Sequence, residues 1–134
     1  MSDTMRPKAA HVIIVGLNEE QRQQLDKKTL EILHSSDPSW KYKSDRCDTV
    51  DEAFALASKV KTIDIIYIDD SKYTAPVEEQ LAHVSHLFER FFKCADKPVV
   101  SYARRDEGAP RYKLPAAIFA LWRDRGRAAV RKKI

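Results

Sequence analysis

The chain has 134 residues, of which 43% are hydrophobic and 33% are charged. This length fits one domain with one core, and the composition is typical of a globular chain rather than a disordered one. The longest apolar run, residues 114–122, is too short to cross a bilayer, and residues 1–10 contain no apolar signal segment. We therefore expect no membrane span. Because the two cysteines are isolated and form no disulfide framework, we also expect a cytoplasmic protein.

The net charge of +4 is distributed unevenly along the chain. Residues 1–103 contain 14 Lys/Arg and 17 Asp/Glu, whereas residues 104–134 contain 10 and 3. A basic end of this kind favours contact with phosphate or with an acidic protein face, and a solvated cationic tail is the alternative. The candidate binding residues at this end are Arg123, Arg125, Arg127, Arg131, Lys132 and Lys133.

Hydrophobic periodicity predicts alternating strands and helices. Strands are expected at residues 11–15, 40–47, 63–68 and 98–103, with a short fifth strand at 112–114. Helices are expected from the cap at Asn18 to about residue 36, at 49–60, at 77–93, and from Pro115 to Gly126. This order indicates one α/β domain over residues 11–125, in which helices cover both faces of a parallel sheet. Residues 1–10 form an N-terminal extension and residues 126–134 a basic tail.

Residues 77–93 form the clearest amphipathic helix, because their apolar residues recur at steps of four and three. The face expected to be buried consists of Val77, Leu81, Val84, Phe88 and Phe91. His83 and His86 lie on the other side, where a metal ion could bind at helical spacing. No third histidine or cysteine pair completes a zinc site, so we expect a solvated polar stripe and no metal.

The string from Asp64 to Asp69 resembles the third strand of a response-regulator receiver domain, which ends at the phosphoacceptor aspartate. Asp69 would take that place and Asp70 would follow it. The string from Pro98 to Ala103 resembles the fourth strand, and Ser101 and Tyr102 compete for its switch position. Lys113 corresponds to the lysine of the final strand. The resemblance covers residues 10–125 and implies a flavodoxin-like fold and two-component signalling.

The chain departs from receivers after the first strand, where Gly16 and Leu17 replace the acidic pair that holds magnesium. Transfer of a phosphoryl group to a carboxylate needs a divalent cation to neutralise the developing charge. A second departure is the segment between Ala103 and Tyr112, which is too short for a full receiver helix. The resemblance therefore implies a degenerate receiver, or pseudo-receiver: a regulatory adaptor that acts by protein–protein interaction, with no cofactor.

Three alternatives remain open at this point. The basic end could bind nucleic acid through its phosphates, or Asp69 could still be a phosphoacceptor in a working receiver. A homodimer also stays open. We expect the chain not to be an enzyme, because no cofactor loop is visible and no nucleophile is paired in the sequence with a base and an orienting group.

Overall fold

The computed structural model describes residues 8–69, 77–92, 98–103 and 113–133. Strands and helices alternate along these residues as follows: β1 (Ala9–Val15), α1 (Glu19–Ser36), β2 (Lys41–Cys47), α2 (Val50–Lys59), β3 (Ile65–Asp69), α3 (Val77–Phe91), β4 (Val99–Ala103) and α4 (Lys113–Lys133). The strands form a parallel sheet in the order β2-β1-β3-β4. The prediction of a single α/β flavodoxin-like fold is confirmed.

Helices cover both faces of the sheet. On one face, the ring of Phe54 in α2 meets the ring of Phe88 in α3 edge-on, with 4.9 Å between the ring centroids. On the other face, Trp40 contacts Phe119 and Trp122 of α4, with centroid distances of 5.8 and 6.0 Å. Both faces of the central strands β1 and β3 are therefore buried, which explains why these strands read as continuous apolar runs. No helix in the described ranges is long and apolar enough to span a bilayer.

The two predicted helix starts after β1 and β2 are confirmed by their caps. The side chain of Asn18 accepts a hydrogen bond from the backbone N–H of Gln21, and the side chain of Gln21 accepts one from the backbone N–H of Asn18. Thr49 accepts from the backbone N–H of Glu52 at the start of α2. These bonds satisfy backbone donors that have no partner inside the helix, so they fix where each helix begins.

The predictions of a short fifth strand at residues 112–114 and of a helix ending at Gly126 are wrong. Residues Lys113 and Leu114 belong to the first turn of α4, and this helix continues to Lys133. Pro115 is tolerated there because the first N–H groups of a helix have no intrahelical partner. Leu114 is fully buried in the core below α1 and α4. Gly126 does not end the helix, since the residues around it have high helix propensity.

The prediction that Leu81 belongs to the buried face of α3 is also wrong, because its side chain is 51% exposed. Over residues 78–91 of this helix, whose burial the structure describes, Val84 and Leu87 are buried and Phe88 packs beside them. His83 of α3 contacts Asp51 in the first turn of α2. Leu81 lies before this contact, beyond the beginning of α2, so α2 offers it no surface to pack against.

Candidate functional site

The carboxyl end of the sheet is the first candidate site, because it holds Asp69. This residue ends β3 and is buried, and β1 pairs with β3 so that Val15 lies opposite Ile68. Continuing this pairing by one residue places Gly16 opposite Asp69. Gly16 has a φ of +96°, and a Cβ atom on it would lie 2.7 Å from the carbonyl oxygen of Asp69. Position 16 has no room for any side chain, and an acidic side chain is excluded with the rest.

The neighbouring positions do not supply the missing carboxylates. Leu17 is 2% exposed and lies in the core below α1 and α4, where a carboxylate would be buried without a partner. Glu19, in the first turn of α1, is bound by Arg22 and also lies near Arg46. The hydrogen bond from Arg22 lowers the pKa of Glu19 below its usual value. Over the described ranges, no three His, Cys, Asp or Glu side chains are grouped so that they could hold a metal ion.

The strand register shows where the expected switch residues lie. Ala103, which has no hydroxyl group, pairs with Asp69, whereas Ser101 pairs with Tyr67 and Tyr102 with Ile68. Ser101 and Tyr102 thus lie two and one residues before the level of Asp69. Lys113 begins α4, and Asp70 lies outside the described residues.

Two of the basic residues of α4, Arg125 and Arg123, differ in their contacts. Arg125 donates to the carboxylate of Asp64 at 2.5 Å and so attaches α4 to the segment before β3. Arg123 is exposed and lines an open groove of about 670 Å³ between α1 and α4, together with Ile32, Phe119 and Trp122. The remaining four candidates, Arg127, Arg131, Lys132 and Lys133, follow on the last two turns of the same helix.

A polar cluster that sequence reasoning missed lies at the opposite, amino end of the sheet. His11 in β1 is 7% exposed. Its Nδ1 lies 3.0 Å from the hydroxyl oxygen of Thr62, and its Nε2 lies 2.6 Å from a carboxylate oxygen of Asp45 in β2. The only signal in the sequence is a histidine at the start of an apolar strand, since Asp45 and Thr62 lie 34 and 51 residues away.

A second polar network joins α1 to β2 and is structural. The carboxylate of Asp26 accepts hydrogen bonds from Tyr42, Ser44 and Arg22. Burial and the nearby Asp26 raise the pKa of Tyr42, so its hydroxyl group stays protonated and continues to donate. The polar groups named in this network all have hydrogen-bond partners within the protein, so the network gives no indication of a ligand site.

Comparisons with known proteins identify no relative. No family model, no curated protein and no solved structure matches this chain.

Proposed function

We propose that this protein is a cytoplasmic regulatory adaptor built on a degenerate receiver domain. It acts by protein–protein interaction and carries out no phosphoryl transfer at Asp69. The sheet order β2-β1-β3-β4 and the position of Asp69 at the carboxyl end of β3 support the receiver-type scaffold. This edge of a parallel α/β sheet is where ligand sites commonly lie.

The contact between Gly16 and Asp69 is the observation that carries the proposal. A receiver needs acidic side chains beside its phosphoacceptor to hold a divalent cation. The backbone of Asp69 occupies the space that a side chain at position 16 would need. Leu17 is buried in the core below α1 and α4. Substituting one residue would therefore not restore the acidic pair, because the approach of β1 to β3 would have to change as well.

Incubation with acetyl phosphate and magnesium tests the proposal directly. We expect intact-protein mass spectrometry to show no phosphate adduct on the wild-type protein beyond that on Asp69→Asn. A receiver domain known to accept phosphate serves as the positive control for the reagent. An adduct that disappears in Asp69→Asn would contradict the proposal and favour the alternative of a working phosphoacceptor.

The partner surface proposed for the adaptor is the basic part of α4. Its exposed Arg123 lies beside an apolar groove, a combination that fits an acidic protein face with an apolar anchor. Arg123→Glu reverses the charge beside the groove and should weaken binding of the partner. A chain that ends at Gly126 removes the other basic residues of α4 and keeps the Arg125–Asp64 ion pair. We expect the shorter chain to fold equally well and to lose a partner that the full chain retains from lysate.

Nucleic-acid binding is the second candidate function, favoured by the continuation of α4 through its basic residues to Lys133. Titration of duplex DNA at several salt concentrations distinguishes nucleic-acid binding from binding to an acidic protein. A DNA-binding protein shows a slope of log affinity against log salt of about −0.9 per neutralised phosphate. We expect the full chain to bind duplex DNA only weakly, and a tight, sequence-selective complex that survives high salt would reverse this ranking.

A further inference from the structure

We propose that Thr62, His11 and Asp45 form a nucleophile–base–acid relay that transfers an acyl group from small anionic esters to the hydroxyl of Thr62 and then to water. This activity lies at the amino end of the sheet, away from Asp69. It goes beyond the proposed adaptor function and does not depend on it. It also replaces the expectation that the chain is not an enzyme, because that expectation depended on the absence of such a triplet.

The geometry meets the first two requirements of nucleophilic catalysis. The hydroxyl oxygen of Thr62 lies 3.0 Å from Nδ1 of His11, and Nε2 of His11 lies 2.6 Å from Asp45. Both distances allow hydrogen bonds, so a nucleophile is paired with a base and the base with an orienting carboxylate. Thr62 belongs to the segment between α2 and β3, whereas the other two residues belong to neighbouring strands. The sheet therefore assembles the relay from three distant segments.

The hydrogen bonds select one form of the histidine. A carboxylate only accepts, so Nε2 of His11 carries the proton that is donated to Asp45. In neutral imidazole, Nδ1 is then an acceptor and receives the hydroxyl proton of Thr62. This is the form that a general base needs, since the free lone pair faces the nucleophile.

The backbone holds the histidine in place. The carboxylate of Asp64 accepts from the backbone N–H of His11 at 2.9 Å, and the backbone N–H of Asp64 donates to the carbonyl of His11 at 2.8 Å. Its side chain is buried between the two hydrogen-bonding partners. The base is thus fixed before any substrate arrives, which lowers the cost of reaching a reactive geometry.

An open groove beside the relay gives a substrate access to Thr62. The groove has a volume of about 340 Å³, and both His11 and Thr62 line it. Thr62 is exposed, so its hydroxyl can be reached from solvent. Lys41 and Lys43 line the same groove from β2 and bring two positive charges to it. Asp64 also lines the groove, and its two carboxylate oxygens accept from the N–H of His11 and from Arg125. These positive charges attract an ester that carries a negative group. They also stabilise the oxyanion that forms during acyl transfer.

The reaction has two balanced steps. In the first, the oxygen of Thr62 bonds to the acyl carbon and the bond from that carbon to the leaving oxygen breaks. The hydroxyl proton moves to Nδ1 of His11 and from there to the leaving oxygen. In the second step, the oxygen of water bonds to the acyl carbon and gives a proton to Nδ1, and the bond from the acyl carbon to the threonine oxygen breaks. The proton moves from Nδ1 to the threonine oxygen, and the carboxylic acid leaves. Asp45 stabilises the imidazolium formed in both steps and does not touch the substrate, so it is a positioning residue.

The experiment follows hydrolysis of 4-nitrophenyl acetate, a neutral ester, and 4-acetoxybenzenesulfonate, an anionic one, by the full chain. Peptide mapping by mass spectrometry then locates the acetyl group. We expect acetyl on Thr62, a greater acceleration over uncatalysed hydrolysis for the anionic ester than for the neutral one, and a loss of roughly tenfold or more in rate in Thr62→Val. Thr62→Val also leaves Nδ1 of the buried His11 without its partner, so the urea midpoint is measured alongside and the rates are compared where both proteins are fully folded.

Two further variants distinguish the relay from hydrolysis by surface groups and from a purely structural cluster. Asp45→Asn should lower kcat and leave KM close to its wild-type value, because Asp45 orients the base and does not touch the substrate; a purely structural role would leave kcat unchanged. His86→Gln removes an exposed histidine of α3 and controls for hydrolysis by surface imidazole. Wild-type rates in Thr62→Val, or acetyl only on lysines and surface histidines, would overturn the proposal. Equal accelerations of the two esters over their uncatalysed hydrolysis would refute the assigned substrate class.

Discussion

Two hydrogen bonds join the backbone of His11 to the side chain and the backbone of Asp64 at the amino end of the sheet. The Asp64 carboxylate accepts from the N–H of His11 at 2.9 Å, while the N–H of Asp64 donates to the carbonyl of His11 at 2.8 Å. The second carboxylate oxygen of Asp64 accepts from Arg125. One aspartate therefore ties β1, the start of β3 and α4 together, and the basic helix is anchored at a point that is close to the proposed relay.

Replacing Arg125 with Gln should destabilise the protein by about 1–3 kcal/mol, because the mostly buried carboxylate of Asp64 would lose a charged partner. Arg123→Gln is the matched control on the same helix. Its side chain is exposed, and we expect a change within about 0.5 kcal/mol. Urea denaturation of both variants measures the two free energies of unfolding. If Arg125→Gln were as stable as Arg123→Gln, the ion pair would have no structural role.

Leu87→Ala should lower the free energy of unfolding by about 2–5 kcal/mol, because Leu87 is 1% exposed in the core below α2 and α3. Leu81→Ala should change it by no more than about 0.5 kcal/mol, since Leu81 is 51% exposed. Both substitutions remove the same atoms from the same helix, so the difference between their losses of unfolding free energy reports the effect of burial. Denaturant midpoints decide the outcome, and a large loss from Leu81→Ala would show that another part of the chain covers this residue.

Much of the fold could be predicted because its signals are local. The apolar strands β1 and β3 and the caps at Asn18 and Thr49 are visible within short windows of sequence. Leu81 was misplaced because periodicity identifies a helix face but not how far along the helix its neighbour extends. The end of α4 was misplaced because a single glycine has too small an energetic effect, about 1 kcal/mol, to stop a helix of strong formers.

The candidate sites were harder to predict because their parts are far apart in sequence. The absence of an acidic pair at positions 16 and 17 was visible, but its steric reason needed the register of β1 against β3. The relay at His11 could not be seen, since its hydrogen bonds join residues from three segments. Likewise, the spacing of basic residues in α4 did not distinguish the anchored Arg125 from the exposed Arg123.

The carboxylate of Asp37 should make stability depend on pH in the acid range. Hydrogen bonds from Lys8, and then from Ser39, lower its pKa from 3.8 to about 2. A carboxyl group with a lowered folded-state pKa stabilises the fold above its unfolded-state pKa and loses this contribution as pH falls through the folded-state value. The contribution of Asp37 should thus disappear between about pH 4 and pH 2.

Asp37→Asn should therefore show a flatter dependence of the urea midpoint on pH across this range than the wild type. A carboxyl chemical-shift titration measures the pKa of Asp37 directly. Lys8→Met provides the complementary test, because removing the main donor should raise this pKa toward its ordinary value. A titration midpoint near 3.8 in the wild-type protein would show that the Lys8 contact has no influence in solution.

Gly16→Ala should destabilise the protein by about 1–3 kcal/mol or more, for two reasons. Position 16 has a φ of +96°, which is strained for any residue with a side chain, and the new Cβ would lie 2.7 Å from the backbone oxygen of Asp69. Gly126→Ala is the matched control, because Gly126 lies inside α4, where alanine should stabilise the helix by about 0.5–1 kcal/mol. The same Gly→Ala change should therefore lower the free energy of unfolding at position 16 and raise it at position 126. A stable Gly16→Asp variant that gains magnesium-dependent phosphorylation of Asp69 would contradict the steric argument, because it would show that one substitution restores the missing acidic side chain.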